Sequence, residues 1–110
     1  MIQLQRDTRI LLATRPVDFR KGIDGLAAVC RVELDKEPRS GSYFVFINQS
    51  GTMIRVLAYD GTGFWLMTKR LSQGRFRGWP TSSSNVDAME ATHLRMLLSG
   101  AEFSALESVA

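Results

Sequence analysis

Four cations, Lys69, Arg70, Arg75 and Arg77, fall within nine residues and are interleaved with Phe76 and followed by Trp79. Lysine and arginine neutralise phosphates, and aromatic rings stack on unpaired bases, so this pattern suits nucleic-acid binding. No acidic side chain occurs between Asp60 and Asp87. Residues 61–86 therefore carry +4, while the other ten basic and eleven acidic side chains come to −1. A nearly neutral domain with one basic segment points to a polyanionic partner. Two other readings fit the same residues. An acidic protein surface would be met by them equally well, and a solvated loop with Phe76 and Trp79 plugged into the core has the same composition.

A second constellation is Asp18-Phe19-Arg20-Lys21-Gly22-Ile23-Asp24-Gly25-Leu26. With Asp18 as a helix N-cap, Arg20 and Lys21 fall in the first turn, where cations oppose the helix dipole. Two glycines three apart inside a helix each cost about 1 kcal/mol relative to alanine. One explanation is an anion site, with free amides at a helix start, Arg20 and Lys21 beside them and Gly22 admitting close approach. The other is that the glycines let the helix lie close on a sheet while Asp18 and Asp24 neutralise the cations.

Signs of catalysis are sparse. His93 is the single histidine and lies at the edge of a leucine face; Cys30 is the single cysteine and falls on an apolar helical face. Asp18, Asp24, Asp60 and Asp87 resemble a metal-binding carboxylate set, but caps and turns account for Asp18 and Asp60. The chain has no P-loop, zinc-ligand spacing or dinucleotide fingerprint. No enzyme activity, metal or cofactor is expected.

The elements that must position these residues are legible from periodicity. The 110 residues form one domain, expected over 1–103 with a tail at 104–110. Residues 9–14 read as a buried strand. Ile23, Leu26, Ala27, Cys30 and Leu34 give a helix with one apolar face. Residues 43–48, 53–59 and 64–70 are three strands joined by Gln49-Ser50-Gly51-Thr52 and Asp60-Gly61-Thr62-Gly63. A short strand at 86–90 and a helix at 91–99 stopped by Gly100 close the order. The fold class is α+β, an antiparallel β-meander packed against an N-terminal helix with a short C-terminal helix. The turns predict that 44 faces 57, 46 faces 55, 57 faces 66 and 55 faces 68. One face then holds Tyr43, Val45, Ile47, Ile54, Val56, Ala58, Trp65 and Met67, expected beneath the first helix. The other holds Phe44, Phe46, Arg55, Leu57, Tyr59, Phe64, Leu66, Thr68 and Arg70. That aromatic face is expected to be covered by the C-terminal helix or a second copy, or else to stack bases.

The motifs together resemble a family of transposon proteins. The matching pieces are the Asp18–Leu26 segment, Gly41 with Phe44-Val45-Phe46, Arg55-Val56-Leu57, and Tyr59-Asp60-Gly61-Thr62-Gly63-Phe64-Trp65-Leu66. Lys69-Arg70-Leu71, Gly74-Arg75-Phe76, Trp79-Pro80 and the closing 94–100 run complete them. Over about residues 1–102 the chain is similar to the TnpB accessory proteins, products of the second reading frame of insertion-sequence sixty-six transposons. At Ser72 the family pattern has an acidic residue, which leaves this copy slightly more basic. The resemblance implies a role in DNA transposition beside a larger transposase that holds the catalytic carboxylates.

The expected function is a non-catalytic transposition accessory that binds DNA, taken to be the transposon ends. Lys69, Arg70, Arg75 and Arg77 would contact phosphates, with Arg20 and Lys21 as a second contact and Arg55 on the sheet. Phe76 or Trp79 would stack or wedge. The alternative is a module that binds the transposase, or a second copy as a homodimer, through the aromatic sheet face. One cysteine allows no internal disulfide, and the opening residues do not read as a signal peptide. No run approaches a membrane span. A cytoplasmic protein is expected.

Overall fold

The computed structural model describes residues 8–99. The predicted C-terminal tail and the Gly100 stop lie outside that range. The elements are β1 (Ile10–Ala13), α1 (Ile23–Val32), β2 (Tyr43–Ile47), β3 (Met53–Tyr59), β4 (Phe64–Arg70), β5 (Val86–Met89) and α2 (Ala91–Leu98). They build one sheet in the order β4-β3-β2-β1-β5.

The α+β class holds, and two features of the expected architecture are corrected. The first helix is not N-terminal, because it follows β1. The sheet is mixed and not a pure meander: β1 pairs parallel with β2, placing Leu11 beside Phe44, and antiparallel with β5. A parallel pair needs a crossover connection, and α1 supplies it. The meander register is as expected, with Phe44 opposite Leu57, Phe46 opposite Arg55 and Arg55 opposite Thr68. Two side chains fix it. Asn48 Oδ1 accepts from the Thr52 and Met53 amides, and Asp60 Oδ1 accepts from the Thr62 and Gly63 amides. The Thr62 amide, then the Trp65 indole, lead the contacts that hold the Asp60 carboxyl at about 2.

The helices lie on the opposite faces from those expected. Leu26, Ala27, Val29 and Cys30 of α1 pack with Phe44, Phe46 and Leu57, so α1 covers the aromatic face. Leu94 and Leu97 of α2 pack with Val45, Ile47, Ile54 and Val56 on the other side. Both faces are apolar along β2 and β3, so each can seat a helix. The aromatic face is thus closed by the first helix, not by α2 or a second copy.

Cys30 is fully buried in the α1 layer, and burial pushes its thiol up to about 12. The thiolate is the reactive form. A maleimide or disulfide reagent at neutral pH is expected to leave Cys30 unmodified in the folded chain and to label it fully in denaturant. Rapid labelling of the native protein would contradict this packing.

Candidate nucleic-acid interface

Strand direction decides where the cations meet. At the end of the sheet where β1 and β2 finish, β3 and β5 begin and β4 finishes. Four separate stretches therefore converge there: 14–22 after β1, the 48–52 turn, 69–80 at and beyond the end of β4, and 81–85 before β5. Among them, Arg15, Arg20, Lys21, Lys69, Arg70, Arg75 and Arg77 are exposed; Arg55, near the start of β3, is half-buried. Arg15 escaped the sequence reading because it lies outside the acid-free segment. The parallel β1–β2 pairing is what brings it in.

The 75–79 stretch is a strap pinned at two points. The Phe76 amide donates to the Gly51 carbonyl at 2.7 Å, and the Trp79 indole donates to the Ala13 carbonyl at 3.0 Å. Phe76 is 6% exposed within the α2-side core, and Trp79 is half-buried against that core. Both rings occupy the core-plug positions that were one of the sequence alternatives, with Arg75 and Arg77 exposed beside Phe76. Gly74 just before the strap and Gly78 within it have φ +74° and +71°, where a side chain would be strained.

The loop after β1 is built differently from expectation. α1 starts at Ile23 with Gly22 as its N-cap, so Arg20 and Lys21 precede the helix and Gly22 is not inside it. Asp18 does not cap α1. Its carboxylate accepts from the Arg20 amide and pairs with the Arg20 guanidinium at 2.7 Å. That side-chain bond to Arg20 comes first among the causes that lower its carboxyl to about 2. Gly25 makes room for Lys21 and not for the sheet, since a Cβ there would fall 2.8 Å from the Lys21 Cβ. Beside Gly22 the space is open.

Arg55 is committed within the fold. Its guanidinium donates to the Phe19 carbonyl at 2.7 Å, to the Lys21 carbonyl at 3.2 Å and to Thr68 Oγ1 at 3.1 Å, and it stacks on the Phe19 ring at 4.8 Å. It clamps the loop that presents Arg20 and Lys21. Lys69 and Arg70 separate: Lys69 shares the α2 face with Ile54, and Arg70 shares the α1 face with Met53. The cations thus surround the sheet end on both sides of its plane. Asp60 sits beyond the opposite end of β3, about 20 Å from its first residue, so it joins no carboxylate cluster with Asp18. Among the described residues, no group of three or more His, Cys, Asp or Glu side chains is placed to hold a metal ion.

The family profile described as "IS66 Orf2 like protein" matches residues 8–108. The chain belongs to the IS66 Orf2-like family. Two similar proteins come from Sinorhizobium fredii (strain NBRC 101917 / NGR234). "Uncharacterized protein y4hO" is 36% identical over 103 residues, covering 94% of this chain and 89% of the relative. "Uncharacterized protein y4jC" is 35% identical over 104 residues, covering 94% and 88%. No solved structure matches the chain significantly. Membership in this insertion-sequence family agrees with the resemblance drawn from the motifs. Among the described residues of this IS66 Orf2-like protein, no helix is long and apolar enough to cross a membrane.

Proposed function

We propose that this protein is a non-catalytic accessory of transposition that binds DNA phosphates with the basic end of its sheet, beside the element's transposase. The observation that carries the reading is the convergence of seven exposed cations from separate chain segments on one end of the fold. The uncapped opening turn of α1 adds support, because its first amides have no intrahelical acceptor and lie next to Lys21. Arg75 and Arg77 are the strongest contacts, carried on a pinned strap without an acidic neighbour in sequence. Arg20 contributes less, since Asp18 already partners it, and Arg55 acts by holding the loop. Phe76 and Trp79 serve as anchors of the strap and not as stacking rings.

The test is a titration against the element's terminal DNA at two salt concentrations, with and without transposase. Binding should weaken steeply with salt, as counterion release requires. The Arg75→Ala/Arg77→Ala double variant should lower the slope of log K against log salt by about two units. Its stability should change by no more than about 0.5 kcal/mol, because both side chains are exposed. Unchanged affinity and slope in that variant would sink the phosphate reading.

A further inference from the structure

Strand β4 is an open edge of the sheet. The Asp60 amide bonds the Gly63 carbonyl and the Leu71 amide bonds the Thr52 carbonyl at the two ends of the β3–β4 ladder. Antiparallel bonding alternates residue by residue. Residues 65, 67 and 69 therefore bond inward to β3, while the backbones of Phe64, Leu66, Thr68 and Arg70 point outward. No described backbone group pairs with those four. On this same strand Trp65 is 60% exposed, with its indole N–H held by Asp60 Oδ2 at 2.8 Å and its ring left against solvent. An unpaired edge of seven residues carrying an exposed tryptophan is a template for strand addition.

The sequence of the edge selects the occupant. Phe64-Trp65 stands at one end of β4 and Lys69-Arg70 at the other. A parallel copy would set Lys69 against Lys69. An antiparallel copy centred on Met67 sets Trp65 opposite Lys69 of the second copy, and Phe64 opposite Arg70. Like charges are then kept apart, and each cation faces an aromatic ring, which attracts it. The edge is self-complementary under a two-fold axis, as an isologous interface requires. We infer that two copies of this chain associate through antiparallel β4–β4 pairing centred on Met67, forming one continuous ten-stranded sheet. The basic ends of the two copies then lie on opposite sides of the two-fold axis. This association does not rest on the phosphate reading, although Lys69 and Arg70 enter both; its readouts, dimer mass and cross-linking, involve no DNA.

In that register Met67 faces its own copy as a non-hydrogen-bonded pair, with Cα atoms about 4.5 Å apart, within disulfide range. Sedimentation equilibrium of the full chain should show a concentration-dependent dimer. Under mild oxidation Met67→Cys should form a covalent dimer, while the native Cys30 is buried and does not compete. Trp65→Cys alone should not cross-link, but mixed with Lys69→Cys it should. Trp65→Lys should abolish the dimer by opposing Lys69, and adding Lys69→Glu should restore it. A monomer at every concentration up to about 1 mM, the Kd scale of a weak complex, overturns the inference. So does a dimer that survives Trp65→Lys while Met67→Cys fails to cross-link. Protection of the outward β4 amides that appears only when transposase is added would assign the edge to a foreign strand and also overturn self-pairing.

Discussion

Phe76→Ala is expected to cost about 3–5 kcal/mol of stability, the usual range for truncating a buried phenylalanine. Phe76 is the only residue between Arg75 and Arg77, yet it is buried among the side chains that seat α2. The melting temperature should fall by at least about 12 °C, since each kcal/mol shifts a domain of this size by about 4–8 °C. Thermal unfolding by circular dichroism measures it. DNA affinity, taken at a temperature where the variant remains folded, should drop without a change in salt slope, because the charges persist while the strap loses the buried ring that seats it, its backbone bond to Gly51 being retained. An unchanged melting temperature would place Phe76 outside the core and return it to the candidates for base stacking.

Phe46→Ala should come close to unfolding the protein. Phe46 is fully buried beneath α1, and a loss of about 3–5 kcal/mol is a large part of the 5–15 kcal/mol that domains commonly possess. Denaturant unfolding gives the magnitude, and Cys30 reports the location. Both residues belong to the α1 layer, so the cavity should loosen α1 and raise the native-state labelling rate of Cys30 well above the wild-type rate. If α2 covered this face instead, Cys30 would stay protected until global unfolding.

The strand register was legible because two polar side chains, Asn48 and Asp60, close turns of defined length, and a defined turn leaves one pairing. The positions of the strands and of both helices followed from periodicity for the same local reasons. The side on which each helix lies was not legible. Val45, Ile47, Ile54 and Val56 make one face as apolar as the face of Phe44, Phe46 and Leu57, so hydrophobicity gives no preference between them. The start of α1 was misread because Asp18 can cap either a helix or its own loop. Arg20, two residues on, draws it into the loop. Among the candidate site residues, the 69–77 cations stood out by charge alone. Their meeting with Arg15, Arg20 and Lys21 depends on β1 running parallel to β2, a long-range pairing that local spacing does not encode. Arg55 looked like a surface cation because its acceptors are backbone carbonyls, which any sequence offers.

The placement of β1 between β2 and β5 has a consequence for how the chain is made. Strand β1 finds one neighbour only after the α1 crossover and the other only when residues 86–89 have emerged, as Ile10 pairs with Met89. Until then the β1 backbone is open on one side. The β2–β3–β4 hairpins, whose contacts are local, can form first, and β1 is locked in last. Such distant pairing raises contact order and slows folding. Synthesis interrupted before Val86 would release a protein that already carries the basic strap but still exposes a wholly apolar strand, Ile-Leu-Leu-Ala, along an unprotected edge. Proteolytic quality control would meet that species as an aggregation-prone fragment, so the fold links the persistence of its basic end to synthesis of β5.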